Sequence, residues 1–254
     1  MKLSIIILTK EEERMIQGCI ESVTGVADEI IVIDADSQDN TAKIAKSFGA
    51  KVFLDTFTDF ATQRNLGLSK ASGDWVLYID ADERIDAVLE RSIRRLLENG
   101  EENQKGAYCI KRKNYYLGNN EWPYIEKLER LFKKNALRQW EGKLHESPRI
   151  NGTLGEIDGF LLHYTHRDLS SMLTKTIIWS KTEAELRLNT EHPQMTWWRF
   201  PRVMLGAFLN SYVKQGGWRV GTAGLIESTY QAFSMFVTYA RLWEMQQSRQ
   251  KNKS

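Results

Sequence analysis

Short apolar segments alternate with helical ones through roughly the first hundred residues, and this alternation restricts the fold more than any other feature. The segment Leu3–Leu8 contains one polar residue and three isoleucines, as expected for a strand that is buried on both faces. Similar segments at 29–34, 51–54 and 75–79 are each preceded by a stretch with the pattern of a helix. Four strands joined by helices predict a parallel sheet with right-handed crossovers.

In the second hundred residues the pattern changes. Short alternating runs at 108–112, 128–134 and 156–164 predict antiparallel strands that extend the edge of the sheet. Asp168 is then a good N-cap for a long helix over 169–188. The expected fold is therefore α/β, with a mostly parallel sheet and antiparallel additions at its edge.

The last part of the chain is basic and aromatic. Residues 196–254 carry eight Lys or Arg and two Asp or Glu, although the formal net charge of the whole chain is only +2. They also contain four of the eight tryptophans, and their uncharged run 203–213 is shorter than the roughly 20 residues that span a bilayer. No nucleic-acid-binding module accompanies the charge, so we expect no nucleic acid partner.

Two interpretations of this basic segment are open. As a helical element on an anionic membrane surface, its basic residues meet lipid headgroups while its large apolar residues enter the interface. As an ordinary helical subdomain, the same apolar residues form a core. We favour the interpretation of this segment as an element on the membrane surface. The residues expected at the interface are Trp197, Trp198, Phe200, Leu205, Phe208, Trp218, Phe236 and Trp243.

The N-terminal apolar run is too short for an export signal. It ends at the charged segment Lys10–Arg14, which favours a strand. We therefore expect a cytoplasmic protein that is peripheral on the inner face of the cytoplasmic membrane.

Two carboxylates leave the fourth predicted strand in the sequence Asp80-Ala81-Asp82. In open parallel sheets, ligands bind at the carboxyl ends of the strands. Carboxylates two residues apart at such an end can hold Mg²⁺ or Mn²⁺, and the cation then neutralises a diphosphate leaving group. A solvated turn before a helix capped by Asp86 explains the same residues, so the motif alone does not separate a site from a turn.

Polar residues follow the first two strands as well. Thr9-Lys10-Glu11-Glu12 ends the first strand, and Asp34, Ser37, Asp39 and Thr41 follow the second. Carboxylates at this edge can bind a nucleoside, although Asp39 is equally well explained as a helix cap. Arg64, in the helix before the fourth strand, can contact phosphate, pair with Asp80 or lie on the surface.

In order and spacing, these segments resemble glycosyltransferase family 2, over roughly the first ninety residues. The matching segments are Ser4–Glu12, Ile31–Asp34, Ser37–Thr41, Gln63–Gly67 and Gly73–Glu83. Further along, Trp140–Glu146 and the basic tail resemble the branch of this family that contains the lipopolysaccharide-core β-1,4-glucosyltransferases.

The resemblance implies a GT-A, Rossmann-like fold, a nucleotide-diphospho-sugar donor and inversion at the anomeric carbon. Transferred by position, it places Thr9 and Asp34 at the nucleoside, with Asp39 and Arg64 in support, and Asp80 and Asp82 at the metal and diphosphate. Two positions depart from the family pattern. Ala35 stands where a second acidic residue is common, and Glu11, which we keep in the donor site, stands where Asn is usual.

On this interpretation the chain has three parts. Residues 1–105 bind the donor, residues 106–192 form the acceptor half of the same domain, and residues 193–254 form the membrane-associated helical extension.

Inversion needs a base that removes the proton of the acceptor hydroxyl. Glu146 is the candidate and Glu141 the reserve, although a salt bridge of Glu146 with Arg149 or Lys143 is an alternative. His163 ends an apolar strand and is either a further metal ligand or an ordinary buried histidine.

The resulting hypothesis is an enzyme that moves a hexose, glucose from UDP-glucose, to a heptose of the lipopolysaccharide inner core. A polyprenyl-phosphate glycosyltransferase is an alternative, since its phosphate nucleophile needs no base. A sugar nucleotidyltransferase shares the parallel sheet and Mg²⁺, but a glycine-rich phosphate loop is usual there and no glycine precedes Gly18. A non-catalytic membrane-associated scaffold is the remaining alternative.

Overall fold

The computed structural model describes residues 1–99, 105–142 and 146–251. These residues divide into two compact units. The first unit consists of Met1–Lys113 and Ile125–His163, and the second of Asn114–Tyr124 and Tyr164–Ser254.

Strands and helices alternate through the first part of the chain, as predicted. The elements there are β1 (Leu3–Thr9), α1 (Ile16–Val23), β2 (Glu29–Asp34), α2 (Thr41–Ser47), β3 (Lys51–Leu54), α3 (Phe60–Lys70), β4 (Trp75–Asp80), β5 (Glu83–Ile85) and α4 (Ala87–Glu98). The later strands are β6 (Ala107–Tyr116), β7 (Asn120–Lys133), β8 (Leu137–Glu141), β9 (Ser147–Ile150) and β10 (Leu154–Tyr164).

Among the described residues, eight strands form one sheet in the order β3-β2-β1-β4-β7-β6-β10-β5, and β8 pairs with β9 in a two-stranded sheet. The pairs β2–β3, β1–β2 and β1–β4 are parallel, which confirms the predicted parallel sheet. The pairs β4–β7 and β5–β10 are antiparallel, which confirms the predicted additions. The short strand β5 was not expected, because it forms only through pairing with Leu161–His163 of β10.

Both faces of the central parallel strand β1 are buried, as its apolar run predicts. Successive side chains of a strand point to opposite faces of the sheet. Ile5 and Ile7 accordingly pack in one apolar cluster with Ile20 of α1, and Ile6 packs in a second cluster with Tyr78 of β4. This two-sided burial explains why β1 shows no alternation of polar and apolar residues.

Glu29 ties the amino ends of the parallel strands together. Its carboxylate accepts hydrogen bonds from Ser4 Oγ at 2.6 Å and from the Ser72 backbone nitrogen at 2.6 Å, and it pairs with Lys51 Nζ at 2.7 Å. Burial opposes ionisation of this carboxyl, but the bonds donated by Lys51 and Ser4 outweigh burial and lower its pKa from 4.5 to about 2.

The second unit is mainly helical. Its helices are α5 (Leu169–Asn189), α6 (Arg199–Leu209) and α7 (Gly221–Lys251), with a π-helical turn at Asn210–Lys214 and a 3₁₀ turn at Gly217–Val220. The predicted N-cap at Asp168 is confirmed, because its carboxylate accepts from the Ser171 backbone nitrogen at 2.8 Å. Within the described residues, none of the helices combines the length and the apolar character needed to cross a bilayer.

Close backbone approach shapes the turn between α6 and α7. A Cβ atom built on Gly224 would lie 1.8 Å from the carbonyl oxygen of Gly217, so α7 needs glycine there to lie against the 3₁₀ turn. Further along α7, Leu242 packs with Ala184 and Met195 in a small buried cluster, against which Phe200 of α6 also packs.

The Glu29 network leads to a prediction about stability. Replacing Glu29 by Gln removes a carboxylate whose pKa is lower in the folded protein, so its contribution is present above pH 4.5 and disappears as the pH falls toward 2. We expect Glu29→Gln to lower the free energy of unfolding by about 3 kcal/mol at pH 7 and by about half as much near pH 3. Denaturant unfolding of both proteins at the two pH values measures this, and a difference that does not change with pH would contradict it.

Candidate active site

The candidate active site begins at the carboxyl ends of three adjacent strands. In the sheet register, Thr9 of β1 pairs with Asp34 of β2, and Leu8 of β1 pairs with Asp80 of β4. Parallel strands end at the same edge of a sheet, so Thr9 and Asp34 lie beside Asp80. The fold thereby brings together the polar residues that follow three separate strands.

Thr9 and Asp34 carry buried polar atoms whose hydrogen-bonding capacity is not used within the protein. One oxygen of Asp34, Oδ1, accepts from Ser37 Oγ at 2.5 Å. The other oxygen, Oδ2, and the hydroxyl of Thr9 are buried and have no hydrogen-bond partner among the described residues. Because buried polar groups normally find a partner, these two atoms are suited to the polar groups of a bound ligand.

The loops that follow β1 and β2 bond to each other. The backbone nitrogens of Glu11 and Glu13 donate to Ser37 Oγ at 2.8 Å and to Asp39 Oδ2 at 3.1 Å. In return, Glu11 Oε1 accepts from the backbone nitrogen of Gln38 at 2.9 Å. These cross-links hold residues 11–13 outside the helix, which explains why α1 begins only at Ile16.

Asp39 therefore uses both of its carboxylate oxygens in bonds to the neighbouring backbone, and Glu11 uses its Oε1 in the same way. Besides the bond from Glu13, Asp39 accepts from the backbone nitrogen and the hydroxyl of Thr41, at 2.9 and 2.5 Å. Burial works against ionisation of Asp39, but these bonds outweigh it and lower the pKa of the carboxyl. Both residues shape the loops around the site, whereas Asp34 keeps an oxygen available.

The carboxylate of Asp80 is held by two arginines from different elements. Arg64 Nη2 of α3 lies 3.3 Å from Oδ1, and Arg130 Nη2 of β7 lies 2.9 Å from Oδ2. Burial opposes ionisation of Asp80, but the guanidiniums of Arg130 and Arg64 outweigh burial and hold the pKa of the carboxyl well below its usual range. Asp80 is therefore an anion over the whole physiological pH range.

Arg64 is positioned by packing as well as by charge. Its guanidinium lies 4.9 Å from the ring centre of Trp140 and 5.6 Å from that of Tyr78. Asn65 fixes Trp140 through two bonds, since Asn65 Nδ2 donates to the Trp140 carbonyl and Asn65 Oδ1 accepts from its backbone nitrogen. A Cβ atom on Gly67 would lie 2.4 Å from Ile6, so glycine lets α3 approach β1 closely enough for these contacts.

Glu83 connects Asp80 to a third arginine. This carboxylate is completely buried, accepts from the Asp80 backbone nitrogen at 2.9 Å and pairs with Arg112 Nη1 at 3.0 Å. Arg130 Nη2 lies 3.8 Å from it. Buried ions are stable only when their charges are balanced, so Glu83 holds the arginines and the backbone of Asp80 in one arrangement.

The short strand β5 brings Asp82 next to His163. Pairing of Glu83 with His163 in the register of β5 and β10 leaves Asp82 Oδ2 3.4 Å from His163 Nε2. Carboxylates suit Mg²⁺ and Mn²⁺, so Asp80 and Asp82 fit a divalent cation by donor type, with His163 beside them. In the described part of the chain, however, no three His, Cys, Asp or Glu side chains form a ready-made metal cluster.

Glu146 lies in the same ion cluster. Its Oε1 is 2.9 Å from Arg64 Nε, so its partner is Arg64 and not Arg149 as one of the alternatives had it. Lys143, the other alternative, and the neighbouring Leu144 and His145 of the predicted motif lie outside the described residues. The reserve residue Glu141 instead pairs with Arg149 at 2.7 Å, where both side chains are solvent-exposed.

Sequence reasoning missed Arg130, Glu83 and Arg112 as members of the site. A signal was present for Arg130, because it stands two residues before the apolar Phe132 in a strand and therefore shares its buried face. A charged residue on a buried face is rare unless it is paired. Its partner, Asp80, is 50 residues away in the chain, so the sequence did not identify the pair.

Known proteins match this chain over most of its length. The model of the family described as Glycosyl transferase family 2 matches residues 4–153. An uncharacterized glycosyltransferase of Rickettsia typhi is 29% identical, over 96% of this chain and 87% of that protein. The lipopolysaccharide core biosynthesis glycosyltransferase LpsC of Rhizobium meliloti is 27% identical, over 96% of this chain and 93% of that protein.

One solved structure similar to this chain is S. aureus TarS 1–349 in complex with UDP-GlcNAc. It aligns with a TM-score of 0.48 and 13% identity, over 98% of this chain and 92% of that one.

The two aspartates after β2 lead to opposite predictions. Asp39→Asn removes an acceptor from backbone donors, so we expect it to lower the free energy of unfolding by about 1–2 kcal/mol. Asp34→Asn keeps the acceptor for Ser37 but replaces the unpaired oxygen by an amide donor. The free energy of unfolding should therefore change little, while the affinity for uridine should fall about 10-fold. Denaturant unfolding and calorimetry with uridine measure the two effects, and equal behaviour of the variants would contradict this division of roles.

Proposed function

Because the chain belongs to glycosyltransferase family 2, we propose that it transfers a hexose from a nucleotide-diphospho-sugar to a saccharide acceptor, with inversion at the anomeric carbon. One observation carries the proposal. Asp80, assigned to the donor and metal, and Glu146, assigned as the base, contact the same buried guanidinium of Arg64. A donor-binding carboxylate and a candidate base are thus held near each other by one guanidinium, and such proximity of donor site and base favours direct attack by the acceptor.

In this proposal the nucleoside lies over the ends of β1 and β2. Asp34 Oδ2 and the Thr9 hydroxyl bind its polar groups, because both atoms are buried without a partner among the described residues. Glu11 and Asp39 shape the binding loops through their bonds to Gln38 and Thr41. Of these three carboxylates, that of Asp34 has a buried oxygen without a hydrogen-bond partner among the described residues, consistent with Ala35 at the neighbouring position.

Asp80 and Asp82 would hold a divalent cation, Mg²⁺ or Mn²⁺, with His163 as a further ligand. When bound, such a cation supplies positive charge that stabilises the departing diphosphate. Arg64 adds a second positive charge next to Asp80.

Glu146 acts as the general base. Its carboxylate removes the proton of the acceptor hydroxyl while the hydroxyl oxygen forms a bond to the anomeric carbon. The bond from that carbon to the diphosphate breaks at the same time, and the diphosphate leaves with the bonding electrons. Arg64, at 2.9 Å, keeps the side chain of Glu146 close to Asp80 before the acceptor binds.

We further propose that the donor is UDP-glucose and the acceptor a heptose of the lipopolysaccharide inner core. The name of the Rhizobium meliloti relative, a lipopolysaccharide core biosynthesis glycosyltransferase, supports this assignment at 27% identity. The resemblance of Trp140–Glu146 to the lipopolysaccharide-core branch supports it as well, and Trp140 itself packs against Arg64 in the site.

The second unit presents a surface that fits an anionic membrane. The Trp197 side chain is 82% exposed, and α6 continues with exposed Leu205 and Leu209 on one side. The guanidinium of Arg199 lies 5.1 Å from the ring centre of Trp198. Exposed indoles beside guanidiniums suit the interface, where apolar rings enter the lipid and cations meet the headgroups.

Not every aromatic residue assigned to the interface belongs to this surface. Phe200 packs toward the buried cluster of Met195 and Leu242, with its ring centre 5.8 Å from that of Phe236. The membrane proposal therefore rests on the exposed residues of α6 and on Trp197, Trp198 and Trp218.

The base assignment is tested by Glu146→Gln, which retains a hydrogen-bond acceptor for Arg64 but cannot take a proton. We expect turnover with UDP-glucose and a heptose-containing acceptor to fall about 10²–10⁴-fold, with UDP affinity changed less than about 3-fold. Glu141→Gln is made in parallel.

Near-normal turnover of Glu146→Gln would contradict its role as the base and would favour a phosphate nucleophile, as in a polyprenyl-phosphate glycosyltransferase. A large loss in Glu141→Gln alone would transfer the role to Glu141. If no UDP- or GDP-sugar binds to the wild-type protein with Mn²⁺, the transferase proposal is wrong.

The membrane proposal is tested by replacing Trp197 and Trp198 with Ala in the full-length protein. We expect the variant to sediment about 10-fold less with phosphatidylglycerol vesicles, because burial of the two rings drives insertion. Phe48→Ala, at an aromatic residue of the first unit that is about as exposed as Trp198, is the control and should bind like the wild type. Wild-type protein that stays in the supernatant at low salt would contradict the proposal.

A further inference from the structure

We propose that Arg130 exchanges partners when the donor binds: it caps the Asp80 carboxylate in the free protein and turns to the donor diphosphate when a divalent cation takes its place on Asp80. This inference rests on the proposed function, because it requires a diphosphate donor and a cation. It assigns to Arg130 a role in coupling the two binding events.

In the free protein, both oxygens of the Asp80 carboxylate are paired with arginines, which opposes the binding of a cation. Each oxygen of this carboxylate faces one guanidinium, Oδ1 that of Arg64 and Oδ2 that of Arg130. The contact with Arg130 is the shorter, at 2.9 Å against 3.3 Å. A cation bound to Asp80 would lie close to both guanidiniums, and repulsion between the positive charges favours displacement of at least one arginine.

Arg130 has an unused donor with which to engage a diphosphate. The residue is 6% exposed, yet its Nη1 is buried and has no hydrogen-bond partner among the described residues. The same holds for Nη1 of Arg64. Both guanidiniums contact Asp80 through Nη2, so their two unpaired Nη1 donors lie near the same carboxylate. Arginine binds phosphate oxygens strongly, so a diphosphate at this carboxylate would supply suitable acceptors.

A role confined to neutralising Asp80 does not account for this arrangement. Arg64 already supplies one positive charge to Asp80, and a purely structural arginine is expected to have its buried donors satisfied. Arg112 illustrates that structural case. Its guanidinium contacts both Glu83 and Glu126, and the pKa of Arg112 is raised because these two carboxylates outweigh its burial.

Glu83 keeps the movement of Arg130 short. This carboxylate is fully buried, bonds to the Asp80 backbone nitrogen and lies 3.8 Å from Arg130 Nη2. Glu83 stays in place when a cation binds Asp80, and its carboxylate then still provides a negative charge near Arg130. The guanidinium then needs only to turn about its side-chain bonds, while β7 stays paired with β4.

The exchange makes the two ligands interdependent. Arg130 opposes a cation that binds alone and favours a diphosphate that binds with the cation, so cation and nucleotide increase each other's affinity. Removing the guanidinium should therefore have effects of opposite sign on the two ligands. A side chain that only stabilises the fold would weaken both.

The test uses full-length Arg130→Gln and calorimetry with Mn²⁺ alone, with UDP at saturating Mn²⁺, and with uridine. We expect Mn²⁺ alone to bind about 3-fold or more tightly to the variant, because Asp80 has lost a competitor. UDP should bind about 10-fold or more weakly, since an arginine–phosphate contact is lost, and uridine should bind equally to both proteins.

Two further variants make the result decisive. Arg130→Lys keeps the charge but offers a single donor group, so its UDP affinity should lie between those of the wild type and Arg130→Gln, with Mn²⁺ affinity near the wild type. If Arg130→Gln does not fold, Arg130→Lys alone must show weaker UDP binding without weaker Mn²⁺ binding. Lys127→Gln removes a charge from an exposed part of the same strand and should match the wild type.

Parallel weakening of Mn²⁺ and UDP in the Arg130 variants, or no change in either, would overturn the exchange while leaving the proposed function intact. Wild-type protein that binds no UDP at saturating Mn²⁺ would overturn both proposals.

Discussion

Each oxygen of the Asp80 carboxylate is held by a different arginine, Arg64 from α3 and Arg130 from β7. Bringing such charges out of water is unfavourable unless they balance one another, so the cluster forms only when these elements have packed against β4. Glu83 and Glu146 extend it, and each contacts one of the arginines. The arrangement of the site therefore follows from charge balance around one carboxylate.

The acidic residues near the site differ in what their oxygens do, although their chemistry is the same. Asp39 and Glu11 accept bonds from backbone nitrogens of the neighbouring loop and hold that loop in place. Asp34 satisfies one oxygen within the protein and leaves the other buried without a partner in the described chain. The hydrogen bonds that each carboxylate already makes within the protein thus distinguish the residues that shape the site from those that can bind a ligand there.

The second unit shows the same distinction for aromatic side chains. Phe200 packs against a small buried cluster, whereas Trp197, next to the same helix, is largely exposed. An amphipathic pattern predicts that one side of a helix is covered, but it does not say by what. Exposure of the tryptophans beside arginines is what connects this surface to an anionic interface in our proposal.

The local pattern of the sequence determined the parallel sheet, its antiparallel additions and the caps at Asp86 and Asp168, because hydrophobic periodicity and capping act over a few residues. It also determined that Thr9, Asp34 and Asp80 meet at one edge, since parallel strands end together. Only the tertiary structure decided which partner each side chain takes. Arg130 reaches Asp80 across 50 residues and Glu146 reaches Arg64 across 82, and β5 exists only through its pairing with β10. Ion pairs and short strands of this kind depend on distances that the folded chain creates, so no local pattern encodes them.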